Sequence, residues 1–392
     1  MGIINRGNLS DLRGVIRLAV EATVGVTDVV EKMHHTIQLA HPPLGTSKAG
    51  NTRGLTGIVY RSIRGTTRLV GQGLDAGLTP FMTLLPEEAS TSTRDAFVSA
   101  INGINGDHLV QTDNPLAIDM GFRCAGLPLD PAQPDTVLET LGQTARTGKI
   151  MLFVHGLCLN DGHWTRDGHN HGRELATDIG YTPVYLRYNT GLPVAVNGRE
   201  LAGLFEQLVE NWPHPVSEIA IVGHSMGGLV ARSACHEGRL AGLDWLRCLN
   251  RLVSIGTPHQ GAPLERGGNW LDYALDMSPY AAPFTRIGKK RSAGITDLRH
   301  GSVTEDQMEF VPLPAGVECY AMAATLAKKR TRLSERLTGD GLVPLDSALG
   351  KSKDPARDLL IPENQQWVAN ETGHIELLGH TGLYTQLSAW FE

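Results

Sequence analysis

Apolar residues near the N-terminus recur at intervals of three and four. This spacing predicts an amphipathic helix from Leu12 to about Ile37, and Leu55–Leu78 shows a second helical pattern. The stripe of the first helix consists of Leu12, Val15, Ile16, Ala19, Val20, Val26, Val30, Met33 and Ile37. Prolines in the segment Pro128–Gly148 then predict a boundary. We therefore expect residues 1–140 to form a helical accessory region docked on the rest of the chain.

After Lys149 the pattern changes, because short apolar runs begin to alternate with helical stretches. The predicted strands are Ile150–Val154, Val184–Arg187, Ile219–Val222, Leu252–Ile255, Cys319–Ala323 and Trp367–Ala369. The predicted helices are Gly198–Asn211, Leu229–Glu237 and Thr381–Phe391. This alternation is typical of an α/β fold with a mostly parallel sheet flanked by helices, which we assign to residues 149–392.

One long interval, residues 262–314, interrupts the alternation. It carries aromatic residues among polar and basic ones, including Trp270, Tyr273 and Phe284. Insertions between strands and helices fold over the carboxyl edge of a parallel sheet, where binding sites lie. The interval is therefore predicted to be a cap over that edge.

Composition narrows the class of protein. The chain has 392 residues and a formal net charge of −6, which disfavours a nucleic-acid partner. It contains no uncharged apolar run of 18 residues and no secretory signal pattern at its start. Its five cysteines are widely spaced, which favours reduced thiols over a disulfide framework. We expect a cytoplasmic protein.

A G-x-S-x-G pentapeptide, Gly223–Gly227, stands between an apolar strand and a helix. Such a turn holds its serine, here Ser225, in a strained conformation with the hydroxyl at the edge of the sheet. The amide of Met226 at the helix start and that of Leu157, after the strand that ends in His155-Gly156, are predicted to form an oxyanion hole. His155 is interpreted as a residue that orders this loop.

A serine nucleophile needs a base, and the base needs an acid that fixes its tautomer. His374 follows the last predicted strand, and Asp340 lies in a glycine-flanked turn after the strand before it. The order Ser225, Asp340, His374 is the hydrolase order. His380 and Asp346 are the alternatives for base and acid.

Several motifs in order carry a resemblance to a known family. Residues 149–392 resemble the α/β-hydrolase superfamily, and within it the lipase-like serine hydrolases, including the triacylglycerol lipase and inositol-deacylase-like branch. The matching motifs are HGL at 155–157, GHSMGG at 223–228, GTPHQG at 256–261, GDGLVP at 339–344 and His374 followed by Leu377-Leu378. The resemblance implies Ser225 as nucleophile, Asp340 as acid, His374 as base, and Leu157 with Met226 as oxyanion donors. Residues 1–140 match no lipase pattern.

These observations predict a cofactor-free esterase or lipase that cleaves medium-chain or lipid-like esters, with Trp270, Tyr273 and Phe284 of the cap binding the acyl chain. An acyltransferase with the same triad and a non-enzymatic binding protein stay open as alternatives. Peripheral membrane contact of the N-terminal helices stays open as the alternative to their packing on the rest of the chain. One loop concentrates side chains that could hold zinc or calcium. Because their spacing fits no metal pattern, we predict a solvated polar loop, and metal binding stays open as the alternative. That loop contains Asp161, His163, Asp167, His169 and His171.

Overall fold

A computed structural model describes residues 6–40, 58–70, 72, 92–139, 147–262, 292–307, 309–328 and 339–392. Most of the predicted cap lies outside these residues. The predicted acyl-chain residues Trp270, Tyr273 and Phe284 lie outside them as well.

Eight strands of the described residues form one sheet, and two more form a short hairpin. The strands are β1 (Gly121–Cys124), β2 (Leu127–Leu129), β3 (Lys149–Val154), β4 (Thr165–Arg166), β5 (His169–Asn170), β6 (Thr182–Arg187), β7 (Glu218–His224), β8 (Leu249–Ile255), β9 (Glu318–Thr325) and β10 (Gln366–Asn370). The large sheet has the order β10-β9-β8-β7-β3-β6-β1-β2. All neighbours from β6 to β10 are parallel. All six predicted strands are confirmed.

The described helices lie before, between and after these strands. They are α1 (Arg6–Ala40), α2 (residues 58–70), α3 (Ser92–Gln111), α4 (Asp135–Leu138), α5 (His171–Ile179), α6 (Val194–Glu210), α7 (Met226–Ala241), α8 (Ala293–His300), α9 (Leu345–Ala348) and α10 (Thr381–Phe391). Single 3₁₀ turns occur at Asp161–Trp164, Asp244–Cys248, Pro355–Arg357, Glu363–Gln365 and Glu376–Gly379. The three predicted helices of the second half correspond to α6, α7 and α10.

The central strands are covered on both faces. Six consecutive residues of β7, Ile219–His224, are buried, although alternate side chains of a strand point to opposite faces. Runs of Val, Ile and Ala suit such a strand because they expose no polar side chain to either layer of helices. The core therefore lies on both sides of the sheet. All five cysteines are free thiols, and four of them are buried.

The chain order reverses at β3, which lies between β6 on one side and β7 on the other. In open α/β sheets, ligands bind at the carboxyl ends of the strands that flank such a reversal. The loops after β3 and β7 carry Leu157 and Ser225. The topology therefore places the predicted oxyanion loop and the predicted nucleophile side by side.

The region 1–140, predicted to be helical, contains two short strands besides its helices. Strands β1 and β2 belong to the large sheet, and β1 pairs antiparallel with β6. The sequence signal is weak, because each strand has only three or four residues and the turn between them is Ala125-Gly126. These strands cover the edge of β6, which would otherwise be open for pairing with another chain.

Helix α1 buries a different face from the one its apolar stripe predicts. Leu12 and Val30 are 47% and 46% exposed, whereas Leu18 and the carboxylate-bearing Glu31 are buried. Glu31 is buried because the guanidinium of Arg64 on α2 pairs with it at 2.5 Å. The sequence pattern could not show this face, since the ion pair joins residues 33 positions apart.

Candidate active site

Ser225 lies in the tight turn between β7 and α7. Its backbone has φ 56° and ψ −123°, a conformation that side chains other than glycine rarely adopt. The Ser225 N–H donates to the carbonyl oxygen of Ile255 at 2.8 Å. A Cβ at Gly223 would lie 2.5 Å from the backbone nitrogen of Gly228, and one at Gly227 would lie 2.0 Å from the Val154 oxygen. The glycines of the pentapeptide are therefore sterically required.

His374 and Asp340 form a buried pair. His374 Nδ1 donates to Asp340 Oδ2 at 2.6 Å, and both residues are 3% exposed. Asp340 Oδ1 accepts from the backbone amides of Leu342 and Val343 at 3.0 and 2.7 Å. The two carboxylate oxygens thus have separate partners. This arrangement holds the imidazole with its proton on Nδ1, as a base oriented by an acid requires.

The serine and the imidazole both contact the end of β8. Ser225 is bonded to Ile255, and a Cβ on the next residue, Gly256, would lie 3.1 Å from His374 Cε1. His224, directly before the serine, donates from Nε2 to the His374 carbonyl oxygen at 3.2 Å, and the two rings lie 4.8 Å apart. The structure therefore gathers the predicted nucleophile, base and acid in one cluster.

His224 was not singled out from the sequence. It is fully buried, and burial lowers its pKa well below the ordinary value, so it is neutral at neutral pH. Its hydrogen bond connects the serine turn to the backbone of the loop that carries the base. Its place inside the G-x-S-x-G pentapeptide was the available signal.

The loop after β3 runs directly against the serine. A Cβ at Gly156 would lie 2.9 Å from Ser225 Cβ, so only glycine permits this approach. The amide of Cys158 donates to Thr190 Oγ1 at 3.1 Å, while Leu157 precedes it and is buried. Met226 is the first residue of α7, where backbone amides have no partner within the helix. Both predicted oxyanion donors therefore belong to segments beside Ser225.

His155 has the structural role that was predicted for it. Its Nδ1 donates to the Gly156 oxygen at 3.0 Å, and its ring stacks on Tyr188. Tyr188 in turn donates its hydroxyl to the His155 carbonyl oxygen at 2.8 Å. Burial lowers the pKa of His155 to about 3, so the ring stays neutral.

The alternative acid and base lie elsewhere. His380 Nδ1 accepts from the Leu383 amide at 3.2 Å and caps α10. Asp346 is exposed on α9. Neither belongs to the serine cluster.

The potential metal ligands of the loop 161–171 make separate contacts. His169 Nε2 and His171 Nδ1 share a hydrogen bond of 2.8 Å. Asp161 lies 3.7 Å from Arg123 and 3.9 Å from Arg187. Within the described ranges, no group of three or more His, Cys, Asp or Glu residues is arranged to hold a metal ion.

Comparisons with known proteins give one family match. A model described as the PGAP1-like alpha/beta domain matches residues 194–315, which include the serine turn. No curated protein matches the chain.

Solved structures with similar coordinates include several esterases and hydrolases. An esterase from Pyrococcus furiosus is 14% identical and has a TM-score of 0.36, over 63% of this chain and 81% of the other. A thermophilic esterase from Thermogutta terrifontis is 17% identical, with a TM-score of 0.37 over 62% and 89%. An α/β-hydrolase superfamily protein from Enterococcus faecalis is 16% identical, with a TM-score of 0.33 over 62% and 90%.

The strand order and the serine turn of this chain, rather than these alignments, carry the fold assignment. A reversal at β3, a strained serine between strand and helix and a hydrogen-bonded His–Asp pair after later strands are the parts of one architecture. Together with the PGAP1-like match they support a hydrolase. They confirm the predicted resemblance of residues 149–392 to the α/β-hydrolase superfamily.

Proposed function

We propose that the chain is a serine hydrolase that cleaves carboxylic esters through an acyl-enzyme. The observation that carries this proposal is the strained, buried Ser225 in one cluster with the buried His374–Asp340 pair. A hydroxyl at its ordinary pKa is a poor nucleophile, and a base of fixed tautomer is what activates it.

The proposed reaction has two halves. In the first, His374 Nε2 takes the proton of Ser225 Oγ as this oxygen bonds to the ester carbonyl carbon. The bond to the alcohol then breaks, and the alcohol leaves with the proton from His374. In the second, His374 deprotonates a water molecule that attacks the acyl carbon. The acid is released, and Ser225 regains its proton.

The oxyanion of each tetrahedral intermediate would be bound by the amides of Leu157 and Met226. Burial favours this, because charge–dipole interactions are stronger where water is excluded. The dipole of α7 adds to the field at its N-terminus. Loss of one such donor typically lowers kcat by about 10²- to 10³-fold.

For the substrate we propose medium-chain or lipid-like esters. This rests on the aromatic residues of the cap, Trp270, Tyr273 and Phe284. Each methylene moved from water into an apolar pocket contributes about 0.8 kcal/mol. We therefore expect kcat/KM to rise from acetate esters to medium-chain esters. Replacing Trp270 and Phe284 with Ala should flatten this series, and a series that these changes leave intact contradicts an acyl pocket in the cap.

The central test is labelling with a fluorophosphonate and hydrolysis of an ester panel by wild type and two serine variants. Ser225→Ala should lose labelling and lower kcat by about 10⁴- to 10⁶-fold while the fold is kept. Ser233→Ala is the matched control, because Ser233 is equally buried and lies two turns further along α7. Turnover retained in folded Ser225→Ala refutes the nucleophile.

Two alternatives are distinguished by the same assay. Transfer of the acyl group to an added alcohol or amine, seen by product analysis, favours an acyltransferase with the same cluster. Absence of both labelling and turnover in the wild type favours a binding protein.

We also propose that α2 contacts an anionic lipid surface. Arg64 binds Asp28 and Glu31 of α1 with one side of the helix, at 2.7 and 2.5 Å. The other side bears exposed apolar residues next to exposed Arg61 and Arg68, a composition that suits a charged membrane surface. The apolar residues are Ile58, Val59, Ile63, Leu69 and Val70. No helix of the described part of the chain is long and apolar enough to cross a membrane.

Flotation with vesicles tests this contact. The full chain should bind vesicles rich in phosphatidylglycerol, and Leu69→Glu should lower that binding about tenfold or more, since a buried apolar contact becomes a repelled charge. Gln207→Glu, at an exposed position of α6 outside this face, is the control for added charge alone. Equal binding by wild type and Leu69→Glu contradicts the proposal.

A further inference from the structure

Helix α3 lies directly against the loop that follows β3. The Cys158 side chain rests on the backbone of Gly103 in the middle of this helix. A Cβ at Gly103 would lie 2.2 Å from Cys158 Sγ and 3.1 Å from the Cys158 nitrogen. Contacts below 3.0 Å do not occur for real Cβ atoms, so any other residue at this position would push the loop away.

The loop is held from both sides. On the α3 side, Asn160 Nδ2 donates to Ser99 Oγ at 3.2 Å. On the other side, the Cys158 amide donates to Thr190 Oγ1 at 3.1 Å. Cys158 itself has φ 60°, a left-handed conformation that is strained for a residue with a Cβ. Such a conformation persists only where surrounding contacts enforce it, and here these contacts come from α3 and Thr190.

The same helix also holds the loop that carries Thr190. Asn189 Nδ2 donates to the Gly106 oxygen at 3.0 Å. A Cβ at Gly191 would lie 2.1 Å from the Asn102 oxygen. Ser292, where the chain returns from the cap interval, donates its hydroxyl to the Gly103 oxygen at 2.7 Å. One helix therefore joins three segments around the site.

We propose that α3 is a positioning element of the oxyanion hole, and that the seat of Cys158 on Gly103 fixes the direction of the Leu157 amide. This inference rests on the proposed function, since it concerns the donor to the oxyanion. A donor stabilises the oxyanion only when it lies within about 2.7–3.1 Å of it, so a shift of a few tenths of an ångström lowers the rate. Helix α3 accordingly affects the reaction through the position of this amide.

The test begins with Gly103→Ala in the full chain. The added methyl group displaces Cys158, so kcat should fall about 10- to 100-fold while KM changes little, because the oxyanion exists only after the attack. Gly203→Ala is the matched control: Gly203 is an exposed residue of α6, and a Cβ there meets nothing within 4 Å. It should retain wild-type kcat.

Rescue separates positioning from general damage. Cys158→Ala removes the Sγ atom, so Gly103→Ala/Cys158→Ala should recover most of the lost kcat. Cys158→Ala alone leaves space over Gly103 and should lower kcat a few-fold. Hydrogen exchange of the segment 156–160 gives a readout that needs no substrate. Exchange should be faster in each single variant and return toward the wild-type rate in the double variant.

Wild-type kcat and exchange in folded Gly103→Ala overturn the inference, as does a loss of kcat that Cys158→Ala fails to rescue. If Gly103→Ala does not fold, Cys158→Ala decides, and wild-type kcat and exchange in that variant overturn the inference. Failure of the proposed function looks different. A wild type without turnover or labelling refutes the hydrolase, whereas the exchange rates still show whether Gly103 and Cys158 are coupled.

Discussion

The substitution Asp340→Asn replaces one carboxylate oxygen with an NH₂ group and leaves the volume of the side chain almost unchanged. In the wild type, Asp340 Oδ1 accepts two backbone amides and Oδ2 accepts the His374 Nδ1 proton. The two amides require an acceptor, so the Asn carbonyl oxygen takes the place of Oδ1. The Asn amide group then faces His374 and donates to Nδ1. The imidazole proton moves to Nε2, the atom that should accept the serine proton.

The expected loss follows from this change of tautomer. An imidazole whose proton is on Nε2 cannot accept the serine proton, so only substrate binding and oxyanion stabilisation still accelerate the reaction. Such a change of tautomer lowers kcat by about 10⁴-fold. Four decades at 1.36 kcal/mol each correspond to about 5.5 kcal/mol of lost transition-state stabilisation. KM should change little, because Asp340 is buried behind His374 and the substitution preserves its shape.

The assay is steady-state hydrolysis of the best ester of the panel, with thermal unfolding as a check of the fold. Asp346→Asn is the control, because it makes the same chemical change at an exposed position of α9. This variant should retain wild-type kcat. A folded Asp340→Asn protein with kcat within tenfold of the wild type refutes the role of Asp340 as the acid. A loss in Asp346→Asn instead would move that role to the alternative residue.

Three further predictions concern stability. Burial lowers the pKa of His171 to about 4. Between about pH 6.5 and pH 4 the unfolded chain therefore binds more protons than the folded one, and the free energy of unfolding decreases as the pH falls. In denaturant unfolding, the stability difference between wild type and His171→Gln should shrink by about 2 kcal/mol from pH 7 to pH 5, and a constant difference contradicts this. On α6, Gly203→Ala should stabilise the protein by about 0.5–1 kcal/mol, whereas Gly198→Ala, whose Cβ would lie 2.2 Å from Ser233 Oγ, should destabilise it; equal melting temperatures argue against the close packing of α6 on α7. A chain that begins at Lys149 should aggregate, since it lacks β1, β2 and α3 and exposes the edge of β6, and a stable monomer of that length contradicts the dependence on the N-terminal region.

The central strands and the contact between His374 and Asp340 were predictable because their signals lie in short stretches of the sequence. Runs such as Ile219–Val222 are short, apolar at every position and rich in β-branched residues, which together favour a buried strand of a parallel sheet. The order of Ser225, Asp340 and His374 follows from the order of the strands that precede them. The bond between His374 and Asp340 is the contact that this order led us to expect.

The contacts that could not be predicted join residues distant in sequence. Helix α3 has no clear apolar stripe, and its axis is interrupted at Asn105, so periodicity gave no reason to select it. Gly103 shows its importance only when Cys158 is seen resting on it. The buried face of α1 likewise depends on Arg64, whose charge makes the burial of Glu31 favourable. Spacing along a chain cannot reveal a partner of this kind.

The distance along the chain between Ser225 and its proposed base has a consequence for synthesis. His224, which precedes the nucleophile, is separated by 150 residues from His374, whose backbone it contacts. At about 5–20 residues per second, a ribosome needs roughly 8–30 s to make that interval. During this time the nascent chain contains Ser225 but neither the proposed base nor β10, the strand that precedes it. The proposed hydrolase would therefore be inactive on the ribosome. It could not attack cellular esters before translation has passed β10 and His374.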